Sequence, residues 1–129
     1  MRALNPYSNL DRMEGFLDKM AGGMSGKVST LRKGSPQYRP RWFVLKDGIL
    51  MKYNNKNDQK QSSKVALYKC TLEEYNPEMS PENTQFQLTT KKNSLILRAA
   101  SVEEMHVWLN AILKQKLIIE QIIDNIELL

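Results

Sequence analysis

Few residues in this chain are equipped for acid–base or nucleophilic chemistry. Its one histidine, His106, falls in a helical pattern beside Trp108, far in sequence from any serine or cysteine that reads as activated. A base with no nucleophile or partner carboxylate in reach catalyses nothing, so His106 reads as a surface or packing residue. The single cysteine, Cys70, reads as a small core hydrophobe; alone it forms no internal disulfide and no cysteine-rich metal cluster. Glu73-Glu74 and Glu103-Glu104 are adjacent pairs. In a strand such neighbours point to opposite faces, and at a helix start they complement the dipole. Gly22-Gly23-Met24-Ser25-Gly26 lacks both the Lys-Ser/Thr pair and the following helix of a phosphate loop. Neither catalysis, nor a cofactor, nor a bound metal is expected.

Cationic chemistry is abundant instead, and it is unevenly placed. Between Glu14 and Lys64 eleven Lys/Arg face four acidic residues, while from Val65 onward six basic residues face nine acidic ones. The net charge of +5 therefore arises from the first half of the chain. Folded to one end of a compact domain, that half steers the molecule toward phospholipid headgroups, nucleic acid or acidic protein patches. Arg39 and Arg41 are two residues apart on an extended segment, hence on one face, and Pro40 between them removes a backbone donor and stiffens the approach.

The elements that must position these charges follow from pattern. A chain of 129 residues with 41% hydrophobic and 26% charged residues supports one packed domain. No apolar run is long enough for a membrane span, and Met1 to Leu10 lack a secretory signal, so a cytoplasmic protein is expected. Residues 1–13 read as a flexible arm. Strands are expected at Gly15–Met20, Arg41–Lys46, Ile49–Tyr53, Lys64–Tyr68, Thr71–Tyr75, Gln85–Thr90 and Ser94–Ala99. Asp47-Gly48 is a strong hairpin signal between the second and third. Ala21 to Tyr38, holding four glycines and Pro36, is a long loop, and a loop of that length in a compact domain is functional or a mobile excursion. Trp42, Phe43 and Tyr53 sit in hydrophobic company that suggests burial, which argues against open stacking platforms for nucleic acid.

Ser101 with Glu104 three positions on opens a helix. Met105, Trp108, Leu109 and Ile112 recur at i, i+3, i+4 and i+7, a stripe wide enough to cover one end of a curled sheet. The pattern continues through Ile119, Ile122, Ile123, Ile126 and Leu129. That tail exceeds the needs of one core, so residues 116–129 read as a helical extension that packs on another chain, a second copy or a neighbouring part of a longer protein through Ile119, Ile122 and Ile126. The alternative is an extension folded back on its own barrel.

Seven short strands, a long basic loop after the first, Arg41-Trp42-Phe43-Val44-Leu45 at the second and a closing helix with a central Trp108 resemble the pleckstrin homology (PH) family over roughly Met13 to Gln115. Glu14 to Lys19 looks like the family's first strand, Asp47-Gly48-Ile49-Leu50 its hairpin and Val65-Ala66-Leu67 its fourth strand. The resemblance implies a mainly β fold, with a domain at residues 14–115. It is a PH-like barrel of seven antiparallel strands in two roughly orthogonal sheets, open at one end and capped at the other by the C-terminal α-helix, where Trp108 is structural.

It also implies a role for the basic half. Lipid-binding members carry a basic residue late in strand one, then basic-x-Arg-x-hydrophobic entering strand two. Lys19 matches the first and Arg39-Pro40-Arg41-Trp42-Phe43 the second, while Lys52 falls where many members have a tyrosine. Guanidinium groups grip phosphate oxygens with paired donors and lysines add point charges. Lys19, Arg39, Arg41 and Lys52, with Lys27 from the loop, are thereby expected to hold a phosphoinositide or other anionic headgroup at a peripheral membrane surface, with Arg41 as the main anchor. Met24, Val28 and Leu31 either enter the headgroup region or pack the loop onto the barrel. The rival expectation is a protein-interaction module using the barrel surface and the C-terminal helix.

Overall fold

The structure, a computed structural model, describes residues 12–21 and 37–128. Seven strands precede one helix: β1 (Met13–Met20), β2 (Tyr38–Lys46), β3 (Ile49–Tyr53), β4 (Ser63–Ala66), β5 (Thr71–Glu74), β6 (Gln85–Thr89), β7 (Ser94–Arg98) and α1 (Val102–Glu127). All neighbours are antiparallel, in the order β4-β3-β2-β1-β7-β6-β5. The two orthogonal sheets expected from the family are thus one continuous, open hydrogen-bonded sheet. The reason is β1, which runs against β2 from Met13↔Leu45 to Met20↔Tyr38 and still pairs with β7 at Asp18↔Arg98 and Lys19↔Leu97.

That narrow junction is stapled on the outer face of the sheet. Arg98 donates to Asp18 Oδ2 from Nε at 3.2 Å and Nη2 at 2.9 Å, its guanidinium lies 4.0 Å from the centre of the Tyr38 ring, and Tyr38 Oη donates to Gln85 Oε1. Burial pushes the Tyr38 phenol up to about 12; Arg98 opposes the rise, while Tyr75 and Asp18 reinforce it. The unfolded chain ionises this phenol near its ordinary 10.0, so its contribution to stability is present below that pH and is lost between 10.0 and about 12. Alkaline titration followed by tyrosinate absorbance should show one phenol ionising last, together with loss of the fold, and Tyr38→Phe should remove that late step.

Strict alternation builds the core. Leu17, Phe43, Leu45, Leu50 and Val65 from one half of the sheet meet Phe86, Leu88, Leu95 and Leu97 from the other, and Met105, Trp108 and Ile112 of α1 close the end. Asp47 and Gly48 have φ of 52° and 76°, the pair of positive values that a two-residue hairpin with matching twist requires. The helix begins as its cap residues dictate, with Glu104 N–H donating to Ser101 Oγ at 3.1 Å. Strand β4 stops at Ala66 instead of reaching Tyr68, because the chain turns there: Cys70 N–H donates to Leu67 C=O, and Lys69 takes a φ of 60°.

The long helix supplies the main departure. Ile119 is buried against the chain's own β2–β3 turn, 3.2 Å from where a Cβ on Gly48 would stand. Gly48 N–H donates to the buried Gln115 Oε1 at 2.9 Å, and Lys69 N–H to Glu120 Oε2 at 2.7 Å. Ile119 is therefore withdrawn from any partner surface, whereas Ile122 is half-buried and Ile126 is 61% exposed. A stripe of isoleucines at helical spacing reports that something covers it, not whether the cover is the same chain.

Candidate functional site

Register decides which charges meet. Phe43 pairs with Gly15 on β1 and Lys52 on β3, Leu17 pairs with Arg41, Lys19 with Arg39, and Lys52 with Ser63. With a side-chain period of two, Leu17, Phe43 and Leu50 share the inner face with Lys19, Arg39, Arg41 and Lys52. On each strand the cation lies beyond the buried hydrophobe in the same direction: Leu17 to Lys19, Phe43 to Arg41 to Arg39, Leu50 to Lys52. Lys19 and Arg41, like Arg41 and Lys52, are diagonal neighbours on that face, roughly 7–8 Å apart and within reach of long side chains. Three strands therefore deliver Lys19, Arg41 and Lys52 to one rim above an apolar floor. Arg39, a step further out, is exposed.

The electrostatics agree with that placement. Burial lowers the Lys19 ammonium pKa, and the Lys52 and Arg41 charges lower it further; burial and then Arg41 do the same to Lys52. Lys19 senses both other cations and Lys52 senses Arg41, and no carboxylate among the described residues answers them. Among the described residues Lys19 Nζ donates only to Met20 C=O, at 3.3 Å, and Arg41 Nη1 to Pro40 C=O, at 2.8 Å. Asp18, next to Lys19 in sequence, points out through the other face to Arg98. Pleating has sorted the acid outward into an ion pair and left the bases inward, with no such pair among the described residues. Pro40 fits this geometry: Ala21 N–H donates to Gln37 C=O, so alternation turns the Pro40 nitrogen to the side where β3 has already ended.

Lys27, Met24, Val28 and Leu31 lie outside the described residues. Two features were missed by the sequence reading. Ser63, brought beside Lys52 by the β3–β4 register, adds a hydroxyl to the rim, and no local sequence signal marks it. The burial expected of Trp42, Phe43 and Tyr53 holds for Phe43 alone. Trp42 and Tyr53 pair across β2 and β3 on the outer face, where Phe16 meets Trp42 edge-on at 4.8 Å and Lys56 Nζ lies 5.2 Å from its ring centre. Strict alternation about Phe43 carried that information.

The rim can grip dense negative charge. His106 is exposed on α1, burial raises the Cys70 thiol above its ordinary range, and no group of His, Cys, Asp and Glu among the described residues could hold a metal ion. No helix among them is long and apolar enough to cross a membrane.

A curled antiparallel sheet is shut at one end by a helix and carries at the other three half-buried cations from three strands. The PH domain family model matches residues 12–116, and the chain belongs to that family. A chain in a crystal structure of SifA and SKIP is similar to it at 26% identity and TM-score 0.64, covering 80% of this chain and 95% of that one. The PH domain of human TBC1 domain family member 2 matches at 18% identity and TM-score 0.64, over 81% of this chain and 80% of that one. The C-terminal PH domain of pleckstrin, solved with D-myo-inositol 1,2,3,4,5-pentakisphosphate, matches at 18% identity and TM-score 0.58, over 81% and 96%. No curated protein matches the chain in sequence.

Proposed function

We propose that this PH domain is a membrane-targeting module that binds phosphoinositide headgroups, or the anionic surface presenting them, through Lys19, Arg41 and Lys52. Arg39 flanks the site, and Lys27 of the β1–β2 loop extends it. One observation carries the reading: three half-buried cations from three strands share one rim with no carboxylate among the described residues to neutralise them. Such a cluster destabilises itself by repulsion and desolvation, and a polyphosphate relieves both. The pentakisphosphate held by the pleckstrin domain supports the same ligand chemistry. Met24, Val28 and Leu31 would then enter the headgroup layer of a cytoplasmic membrane face.

Calorimetric titration with inositol phosphates of increasing phosphate number tests the proposal. Affinity should rise with phosphate count. Arg41→Ala should weaken it by roughly ten- to a hundredfold, the loss of about 1.5–3 kcal/mol expected for charge-assisted hydrogen bonds. Lys46→Ala, at the other end of β2, should change little. An Arg41→Ala protein that binds as the parent does would remove the site.

A second reading, protein docking on the helix, is favoured by Val107, Leu113, Leu117 and Ile126, apolar side chains that α1 leaves exposed. Its signature is a mouth with no inositol phosphate affinity, combined with self-association that Ile126→Ser abolishes in sedimentation.

A further inference from the structure

We infer that the open edge of β4 is a second binding site, which takes an acidic peptide in extended conformation as an added strand. A groove of about 460 Å³ separates β4 and the β4–β5 link from the β6–β7 turn. Lys64, Val65 and Ala66 all line it. Successive strand residues face opposite ways, so three in a row along one groove mean that its wall is the edge of the strand rather than either face.

The backbone groups at that edge can be assigned. Leu67 N–H donates to Gly48 C=O, and antiparallel alternation therefore turns the Val65 N–H and C=O toward β3 and those of Lys64 and Ala66 away from it. Among the described residues β4 ends the sheet, so these outward groups meet no further strand there. Exposed strand edges are templates for pairing, and lysine is a common guard against indiscriminate pairing.

Charge selects the occupant. Lys64, Lys69, Lys91 and Lys92 line the groove, with no acidic residue among its lining; Lys69 also senses Glu127 and Asp124 of α1, so Lys64 and Lys91 carry the selection. The groove over Trp42 differs, because its Arg12 and Lys56 are balanced by Glu14 and Asp58. An anionic membrane would satisfy the lysines and leave the edge amides and carbonyls without strand-like partners. An extended peptide with alternating acidic side chains satisfies both. Neither Lys64 nor Ala66 belongs to the inner face that carries Lys19, Arg41 and Lys52, so this site is separate from the mouth.

The probe is a fluorescent, end-capped heptapeptide alternating glutamate and valine, titrated into the full chain by anisotropy. Saturable binding is expected, with amide hydrogen exchange slowed at Lys64 and Ala66. Lys64→Glu with Lys91→Glu should weaken binding by roughly tenfold or more, and Lys91→Glu alone, in an exposed turn, should show part of that loss. Ala66→Pro removes one outward N–H without touching the β3–β4 ladder; it should weaken the peptide severalfold and leave inositol phosphate binding at the mouth unchanged. Each of the following would overturn the inference: equal binding of a lysine–valine peptide, Lys64 and Ala66 amides that exchange as before, or an Ala66→Pro protein that binds as the parent. So would lysine-dependent binding to phosphatidylserine vesicles with no peptide binding, which makes the patch a membrane face.

Discussion

Replacing Trp108 with alanine lowers stability by about 3–5 kcal/mol, the cost of a large buried aromatic whose surroundings cannot close over the gap. The indole is 3% exposed and sits in the core between Met105 and Ile112, one helical turn away on either side. Its Cζ2 lies 3.4 Å from the position a Cβ would take on Gly15, so β1 meets the ring with bare backbone. No side chain at residue 15 can swing in to fill the space, and the backbone there is held by its pairing with Phe43. The void therefore persists. Chemical denaturation should show the midpoint falling at unchanged slope, since the surface exposed on unfolding is nearly the same. A loss under about 1 kcal/mol would mean that the helix is not keyed to the sheet through this residue. Trp108→Phe, which keeps part of the ring, should recover a substantial share of the loss.

What could be read in the sequence was local or periodic. Alternation around Phe43 and Leu45, the Asp47-Gly48 turn and the Ser101 cap are each decided within a few residues, and all three are found. Arg39 and Arg41 are legible as a pair because Arg39-Pro40-Arg41 sets both on one face, while Lys19 and Lys52 become candidates only through the family resemblance. Their convergence depends on Leu17↔Arg41 and Phe43↔Lys52, partners that pattern alone does not specify. The single sheet hinges on two β1–β7 pairs and a staple joining Asp18 to Arg98, residues eighty positions apart. Hydropathy has no term for such a contact. Aromatic type points Trp42 and Tyr53 inward, but parity decides: both sit out of phase with Phe43 and so face outward.

Cutting the chain after Gln115 tests how far the domain extends, and it should destabilise the fold by roughly 4–6 kcal/mol. The cut removes Ile119, whose burial against the β2–β3 turn is worth about 2–4 kcal/mol. It also removes the Glu120 carboxylate that accepts from Lys69 N–H at 2.7 Å, a charge-assisted bond worth about 1.5–3 kcal/mol. Lys69 has a φ of 60°, a conformation that side chains rarely adopt, so the link from β4 to β5 is held by a residue of the helix rather than by its own preference. A domain of this size is stable by about 5–15 kcal/mol, so the shortened chain should be largely open at the β2–β3 turn and the β4–β5 link. Hydrogen exchange at Gly48 and Lys69 would report that directly. A cut after Asp124 is the contrast: it discards the exposed Ile126 and Leu128, keeps every contact to the barrel named above, and should shift stability by less than about 0.5 kcal/mol. If both shortened chains match the parent, Ile119 and Glu120 do not bind the barrel together and the folded unit ends at Gln115; if only the first is weakened, the helix to Asp124 is part of the domain.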